Sequence, residues 1–444
     1  MKIAVVGAGA AGLGAAWALS RRHEVTLFEA AAHFGGHAHT VEVPDRLGDV
    51  AVDTGFIVYN ERNYPHLTQL FSHLGVATQP SIMSFAFSQR QPNFEYAGDL
   101  KGLFGHSGQV FRADAWRLLW EIKRFYADAY AFLEAPDPEL TLGAFMKQKD
   151  YSARLIERHI LPMSAAIWSC PLEEVKAFPA LSFFNFHDNH GLLRFSGRPK
   201  WRTVTGGSRE YVARLLQDFR GEAHAETAVR AVRRTPVGVW LTLGDGSEAR
   251  FDQVVMACHA DQTKKILGQD MSGAERWLLG AFRYQKNQAY LHRDSRLMPR
   301  NKSVWSSWNY LMGEQTEGER AVSVTYWMNR LQSLQSSGPL LISLNPLQEP
   351  APETVDLAYS CDHPVFDRFA IAAQQEMGEI QGENRTWFCG SYLGYGFHED
   401  ALQSGLTVAA ALDAAPPWWN DVRPASPSAA NAAPRPGLAL GEAA

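Results

Sequence analysis

Three glycines and one acid near the start of the chain have the types and spacing to hold a dinucleotide. Gly7-Ala8-Gly9-Ala10-Ala11-Gly12 follows the apolar run Ile3-Ala4-Val5-Val6, and a second apolar run, Val25-Thr26-Leu27-Phe28, ends on Glu29. In such an array Gly7 makes the tight turn, Gly9 admits a pyrophosphate against the backbone, and Gly12 lets a helix pack closely on a strand. Ala11 stands in the first turn of that helix, whose N-terminus faces the phosphates. Glu29 falls where a carboxylate accepts hydrogen bonds from a ribose 2′-OH, and a 2′-phosphate there would be repelled. The order strand, glycine turn, helix, strand, acid predicts a Rossmann-type dinucleotide site.

Further pieces of the same kind are spread along the chain. A second glycine pair lies in His33-Phe34-Gly35-Gly36-His37-Ala38-His39-Thr40. Val52-Asp53-Thr54-Gly55-Phe56 and Glu226-Thr227-Ala228-Val229-Arg230-Ala231-Val232 are short runs of strand character. Near the far end, Trp387-Phe388-Cys389-Gly390-Ser391 reads as a strand and turn, and Asp400-Ala401-Leu402-Gln403-Ser404-Gly405 opens an Ala-rich helix. Together these resemble the FAD-dependent amine oxidases and phytoene-type desaturases. The resemblance implies FAD as the cofactor. It implies contacts from Gly35, Gly36 and His37, from Thr54, Gly55 and Phe56, from the backbone at Val229, and from Gly390, Ser391, Ala401 and Leu402. Both arginines of the usual Arg-x-Gly-Gly-Arg segment are histidine here, His33 and His37, and Ser391 stands for the usual aspartate. Charge beside the pyrophosphate would then depend on pH, because free histidine titrates near pH ~6.5.

The implied fold is α/β (α+β overall): a Rossmann-type FAD-binding domain of the amine oxidase/glutathione-reductase type, with an inserted substrate domain of mixed sheet and helices. The cofactor pieces fall at 1–60, 203–265 and 385–414, so the FAD-binding domain is expected to be discontinuous. The substrate domain takes 61–202 and 266–384. Within it Tyr64–Leu74 reads as a helix, Ser81–Ser88 as a strand, and Ala321–Trp327 alternates with period 2. From Ala415 to Ala444 the composition turns to Ala, Pro and Ser, and disorder is expected.

A closer resemblance spans most of the folded chain. It rests on Gly35–Thr40, Asp53–Asn60, Asn189-His190-Gly191-Leu192-Leu193, Arg198–Val204, Ala257-Cys258-His259-Ala260-Asp261 and Ser306-Ser307-Trp308-Asn309-Tyr310. These are similar to a bacterial subgroup typified by the flavin-dependent fatty-acid desaturase of furan fatty acid synthesis. That resemblance implies a methylated, mono-unsaturated acyl chain on a phospholipid as substrate, and a second, conjugated double bond as product. An apolar channel would be needed. Phe183, Phe184, Phe186, Trp168, Trp305, Trp308, Tyr310 and Trp327 are aromatics that could line it. His190 is the first candidate for a base and Tyr392 the second, with Tyr395 also near the flavin.

Acyl lipid as partner requires access to a membrane surface. Leu100-Lys101-Gly102-Leu103-Phe104-Gly105, Val110-Phe111-Arg112 and the helix-like stretch from Trp116 to Phe132 mix bulky apolar and basic residues suited to interfacial contact. No run of about 18 apolar residues occurs, so the expected location is cytoplasmic, peripheral to the inner face of the cell membrane. A net charge of −5 without a basic tract argues against a nucleic-acid partner. Cys170, Cys258, Cys361 and Cys389 are too scattered for a zinc or disulfide framework, and no metal is expected. The absence of a second Gly-x-Gly-x-x-Gly favours reoxidation by oxygen or another acceptor over a nicotinamide. Two alternatives remain open. One is an amine oxidase using Tyr392, Tyr395 and Lys286. The other is a non-catalytic flavoprotein that handles lipid.

Overall fold

The computed structural model describes residues 1–89, 94–97, 113–168, 175–316, 319–423 and 427–434. Leu100–Gly105, Val110–Arg112, Cys170 and Pro424–Ser426 lie outside the described residues.

Apolar β-branched runs that are buried on both faces favour a parallel sheet covered on each side. Five strands form one here, β1 (Lys2–Val6), β2 (Glu24–Phe28), β3 (Glu222–His224), β4 (Gln253–Met256) and β5 (Thr386–Phe388), of which β3 is a short, polar and largely exposed edge. Their order is β3-β2-β1-β4-β5, and every pairing is parallel. Helix α1 (Ala10–Leu19) follows β1 directly and is almost wholly buried, which its Ala/Gly-rich sequence allows. An antiparallel three-stranded sheet, Val229–Thr235, Gly238–Leu243 and Glu248–Phe251, packs beside this layer.

The second layer is a seven-stranded sheet. Its order is Val355–Val365, Arg283–His292, Leu341–Leu344, Glu319–Trp327, Trp308–Thr316, Phe85–Gln89 and Phe94–Ala97. All pairings are antiparallel except that of Trp308–Thr316 with Phe85–Gln89. Helix α2 (Ala113–Glu134) covers it. It buries Leu118, Ile122, Phe125, Ala129 and Phe132 at helical spacing and leaves Trp116 and Trp120 52% and 63% exposed. Helix α3 (Ala180–Asn189) buries Phe183, Phe184 and Phe186 in the same core. Half of the aromatics expected to line a channel therefore serve as core; Phe183, Phe184, Phe186 and Tyr310 are all 2% exposed or less.

Helix α4 (His398–Ala411) closes the chain back onto α1. A Cβ at Gly405 would collide with the Ala11 carbonyl, and one at Gly14 would meet Leu402 Cδ1 at 2.5 Å, so glycine on each helix sets the close crossing. Beyond it the chain departs from the expected disorder. Trp418 is buried and stacks on Trp17 at 5.6 Å, Asn431 Nδ2 donates to the Leu393 carbonyl at 2.7 Å, and Ala432 is fully buried. Large indoles within the Ala/Pro-rich composition supply the apolar area that average composition conceals. Among the described residues no helix is long and apolar enough to cross a membrane.

Candidate functional site

The glycine turn is built as its spacing requires. Gly7 has φ +102°, and a Cβ there would lie 3.0 Å from the Ala257 carbonyl group. A Cβ at Gly12 would collide with Gly7 O, whereas at Gly9 it would meet nothing within 4 Å. Gly9 caps α1 without any side chain bonding to the first-turn amides, and the first turn carries no acid. Open space beside Gly9 and uncapped amides fit a pyrophosphate. Glu29 straps the loop: its carboxylate accepts from Ala8 N at 2.7 Å and Ala31 N at 2.9 Å. Its position at the end of β2 keeps it beside the expected ribose.

The second glycine pair lies against the first. Gly35 N donates to Ala8 O at 2.8 Å, and a Cβ at Gly36 would lie 3.0 Å from Gly9 Cα. The segment Thr54–Phe56 runs alongside, with Thr54 N donating to His39 O and Phe56 N to His37 O. Glycine at 55 is needed because a Cβ would strike the His37 carbonyl. Phe56 stacks on His398 at 3.9 Å. Asp53, by contrast, turns away from the cleft. It accepts from Ser208 N, Ser208 Oγ, Thr40 Oγ1 and Gln332 Nε2, and burial raises its carboxyl to about 6. Val229 is buried at the start of its strand, beyond Thr227, whose N donates to Glu29 O. Gly390 N donates to Ser404 Oγ at 2.9 Å, and Ser391 O accepts from Gly394 N and Gly396 N. Ala401 is partly exposed near the start of α4; the Leu402 side chain packs on α1 at Gly14, so a contact there would be through its backbone.

The two candidate catalytic residues are not brought together. His190 follows α3, between Phe186 (ring centroids 3.9 Å), Phe397 (5.6 Å) and Trp201 (6.2 Å). Its Nδ1 lies 2.9 Å from Phe186 O. A carbonyl can only accept, so Nδ1 carries the proton and Nε2 keeps its lone pair. Burial lowers the imidazole to about 4, so it is neutral near pH 7. Tyr392 departs from its expected role. It is 1% exposed, its ring packs on Phe282 at 4.8 Å in the core of the nucleotide-binding half, and burial drives its phenol well above the usual range. The close-packed Gly390 turn directs it inward, where a Cβ at Gly390 would lie 2.5 Å from Tyr392 Cε1. Tyr395 instead lies near His190, 6.0 Å from Phe186, with its phenol pushed up to about 12 by burial. Lys286 is exposed on Arg283–His292, while its neighbour Asn287 faces inward and bonds His363 Nδ1 at 3.1 Å.

Phe397, Trp201, His259, His363 and His398 had no site role in the sequence reading, although Trp201 and His259 stand in stretches that carried the closer resemblance. The first and last sit inside the segment between Gly390 and Asp400 that carried a signal. His363 had none, since a lone histidine in an alternating strand is indistinguishable from packing.

The fold and this cleft define an FAD-binding oxidoreductase with a two-layer substrate half. The chain belongs to the flavin containing amine oxidoreductase family, whose model matches residues 10–290. No curated protein matches it. Among solved structures it is similar to putrescine oxidase bound to putrescine (14% identity, TM-score 0.67, covering 93% of this chain and 99% of that one). It is also similar to cyclohexylamine oxidase from Brevibacterium oxydans (15%, 0.64, 93% and 98%). A CLA-producing fatty acid isomerase from P. acnes is a further match (16%, 0.62, 91% and 96%). At these identities the likeness is one of fold.

Proposed function

We propose that the protein desaturates a methylated, mono-unsaturated acyl chain, carried on phospholipid, to a conjugated methylated diene. The observation that carries this reading is the setting of His190: a neutral imidazole with a fixed tautomer, enclosed by aromatic rings, and with no hydrogen bond to Nε2 among the described residues. Bound FAD supplies a hydride acceptor. Loss of hydride from an allylic, methyl-branched position leaves a delocalised cation, whose neighbouring C–H is strongly acidic. A weak base is then sufficient, and His190 Nε2 takes that proton. Apolar walls suit an acyl chain and exclude water. The nearby acids are already engaged: Asp188 by Tyr130 and Arg194, Glu399 by the amides of His66 and Leu67. A CLA-producing fatty acid isomerase among the fold neighbours supports the reading.

Access would come from the membrane surface. Trp116 and Trp120, one turn apart on α2, stand half-exposed or more, with exposed Lys123 on the next turn. Indoles and a basic head group suit the interface of an anionic bilayer. On this reading the protein works as a peripheral enzyme at the cytoplasmic face. Trp116→Ser with Trp120→Ser should lower cosedimentation with anionic vesicles and leave FAD content unchanged; unchanged vesicle binding would remove this face from the account.

Amine oxidation is the second reading, favoured by the family itself. The lysine it would use, Lys286, is exposed and stands opposite Asp362 on the neighbouring strand. The two are separated by product. Turnover of vesicles containing methyl-branched, mono-unsaturated phospholipid should generate conjugated-diene absorbance in the ultraviolet. Vesicles of the saturated analogue should give none. Oxidation of an alkylamine with no diene from the lipid would support the second reading instead.

A further inference from the structure

Three imidazoles from separate parts of the chain meet where the parallel sheet ends. His37 follows the second glycine pair, His259 follows β4, and His363 lies near the end of Val355–Val365. The ring centroids of His37 lie 6.2 Å from His259 and 5.9 Å from His363. His37 and His259 belong to the floor of the cleft by their backbone neighbours, and His363 joins them through its ring. Gly36 packs on Gly9, and Ala257-Cys258, just before His259, packs on Gly7. His363 is fixed by Asn287, and His259 stacks on Tyr284 at 4.5 Å. The uncapped N-terminus of α1 opens on the same end of the sheet.

We propose that His37, His259 and His363 form an imidazole cradle for the pyrophosphate of FAD, and that the cradle takes up a proton when the dianion binds. Without the anion burial lowers all three, His37 to about 4 and His363 to about 3; His259 lowers His37 further, and His37 and His259 both lower His363, while nearby acids oppose the shift at His37 and His259. His398 faces His37 from α4; Asp362 and Asp261 are the acids that face the group, Asp362 towards His37 and His259 and Asp261 towards His259. An incoming pyrophosphate adds negative charge at close range and reverses the balance, as the arginines of the related pattern do without titration.

The linkage has a definite sign. The bound state holds more protons than the free state between the lowered free values and the raised bound ones, so affinity falls as pH rises through that window. The holoprotein is diluted into buffers from pH 6 to 8.5 and FAD release is followed by flavin fluorescence. The dissociation constant should rise with pH, approaching about tenfold per pH unit for one coupled proton. His37→Arg should bind FAD with a flatter profile, since its charge is permanent. His259→Gln and His363→Gln should each weaken binding and reduce the slope, with melting temperatures of the flavin-free proteins compared as a control for folding. A dissociation constant independent of pH in the parent, or parent-like slopes in both glutamine variants, would overturn the proposal.

Discussion

The two walls of the cleft are made by different means. On the nucleotide side the backbone does the work. Gly7, Gly12, Gly36 and Gly55 sit where a side chain would crowd or strike another backbone, so main chain packs against main chain there. On the substrate side the side chains do it. His190 and Phe186 from one helix end, with Trp201 and Phe397 from two other stretches, meet through packing of their rings. Backbone constraints admit one residue type, whereas aromatic packing admits several arrangements of similar volume. The cofactor wall is therefore fixed across many substrates, and the other wall is where specificity can vary.

Substitutions on the two walls should fail differently. Gly12→Val, forced against Gly7 O, should leave little folded protein, read as loss of soluble expression or of a cooperative melt. Gly9→Val has open space and should melt like the parent in the flavin-free form, yet retain no flavin absorbance. If Gly9→Val keeps FAD, the pyrophosphate does not lie where this account puts it. His190→Ala should keep its full flavin content and lose at least about a hundredfold in lipid-driven flavin reduction. A parent-like rate would remove His190 as the base.

A smaller effect tests the seam between the walls. Glu399 accepts from His66 N and Leu67 N, and burial raises its carboxyl from 4.5 to about 8. The folded state thus retains a proton that the unfolded state has lost, and the stability this gives is lost as pH rises towards 8. The parent should lose stability relative to Glu399→Gln between pH 6.5 and 8, by no more than about 1.4 kcal/mol per unit. Chemical denaturation at both pH values reads this difference; parallel behaviour would mean that Glu399 is ionised throughout. The smallest effect is expected at Lys286→Met. The exposed side chain should leave flavin reduction within about twofold, whereas an amine oxidase with Lys286 beside the flavin would lose far more.

The same contrast explains what the sequence made legible. Gly7-x-Gly9-x-x-Gly12, Glu29 and the Gly390–Gly405 stretch sit on consecutive backbone, and their spacing is their geometry. Helices Pro65–Leu74 and α2 were visible from apolar periodicity. The direction of Tyr392 was not, because a residue after a turn can face either way, and tight packing at Gly390 turned it into the core. In the described part of the tail, average composition hid Trp418, whose ring stacks on Trp17. The histidine cradle was partly visible: His37 and His259 stand in stretches that carried a resemblance, while His363 joins them only through the fold.

The central claim is that the aromatic wall around His190 receives an acyl chain rather than an amine. It is tested most directly by mixing the holoprotein anaerobically with methyl-branched, mono-unsaturated phospholipid in vesicles, and separately with putrescine and cyclohexylamine, while following flavin absorbance. The account predicts bleaching by the lipid alone. Bleaching by either amine, with flavin unchanged by the lipid, would contradict it.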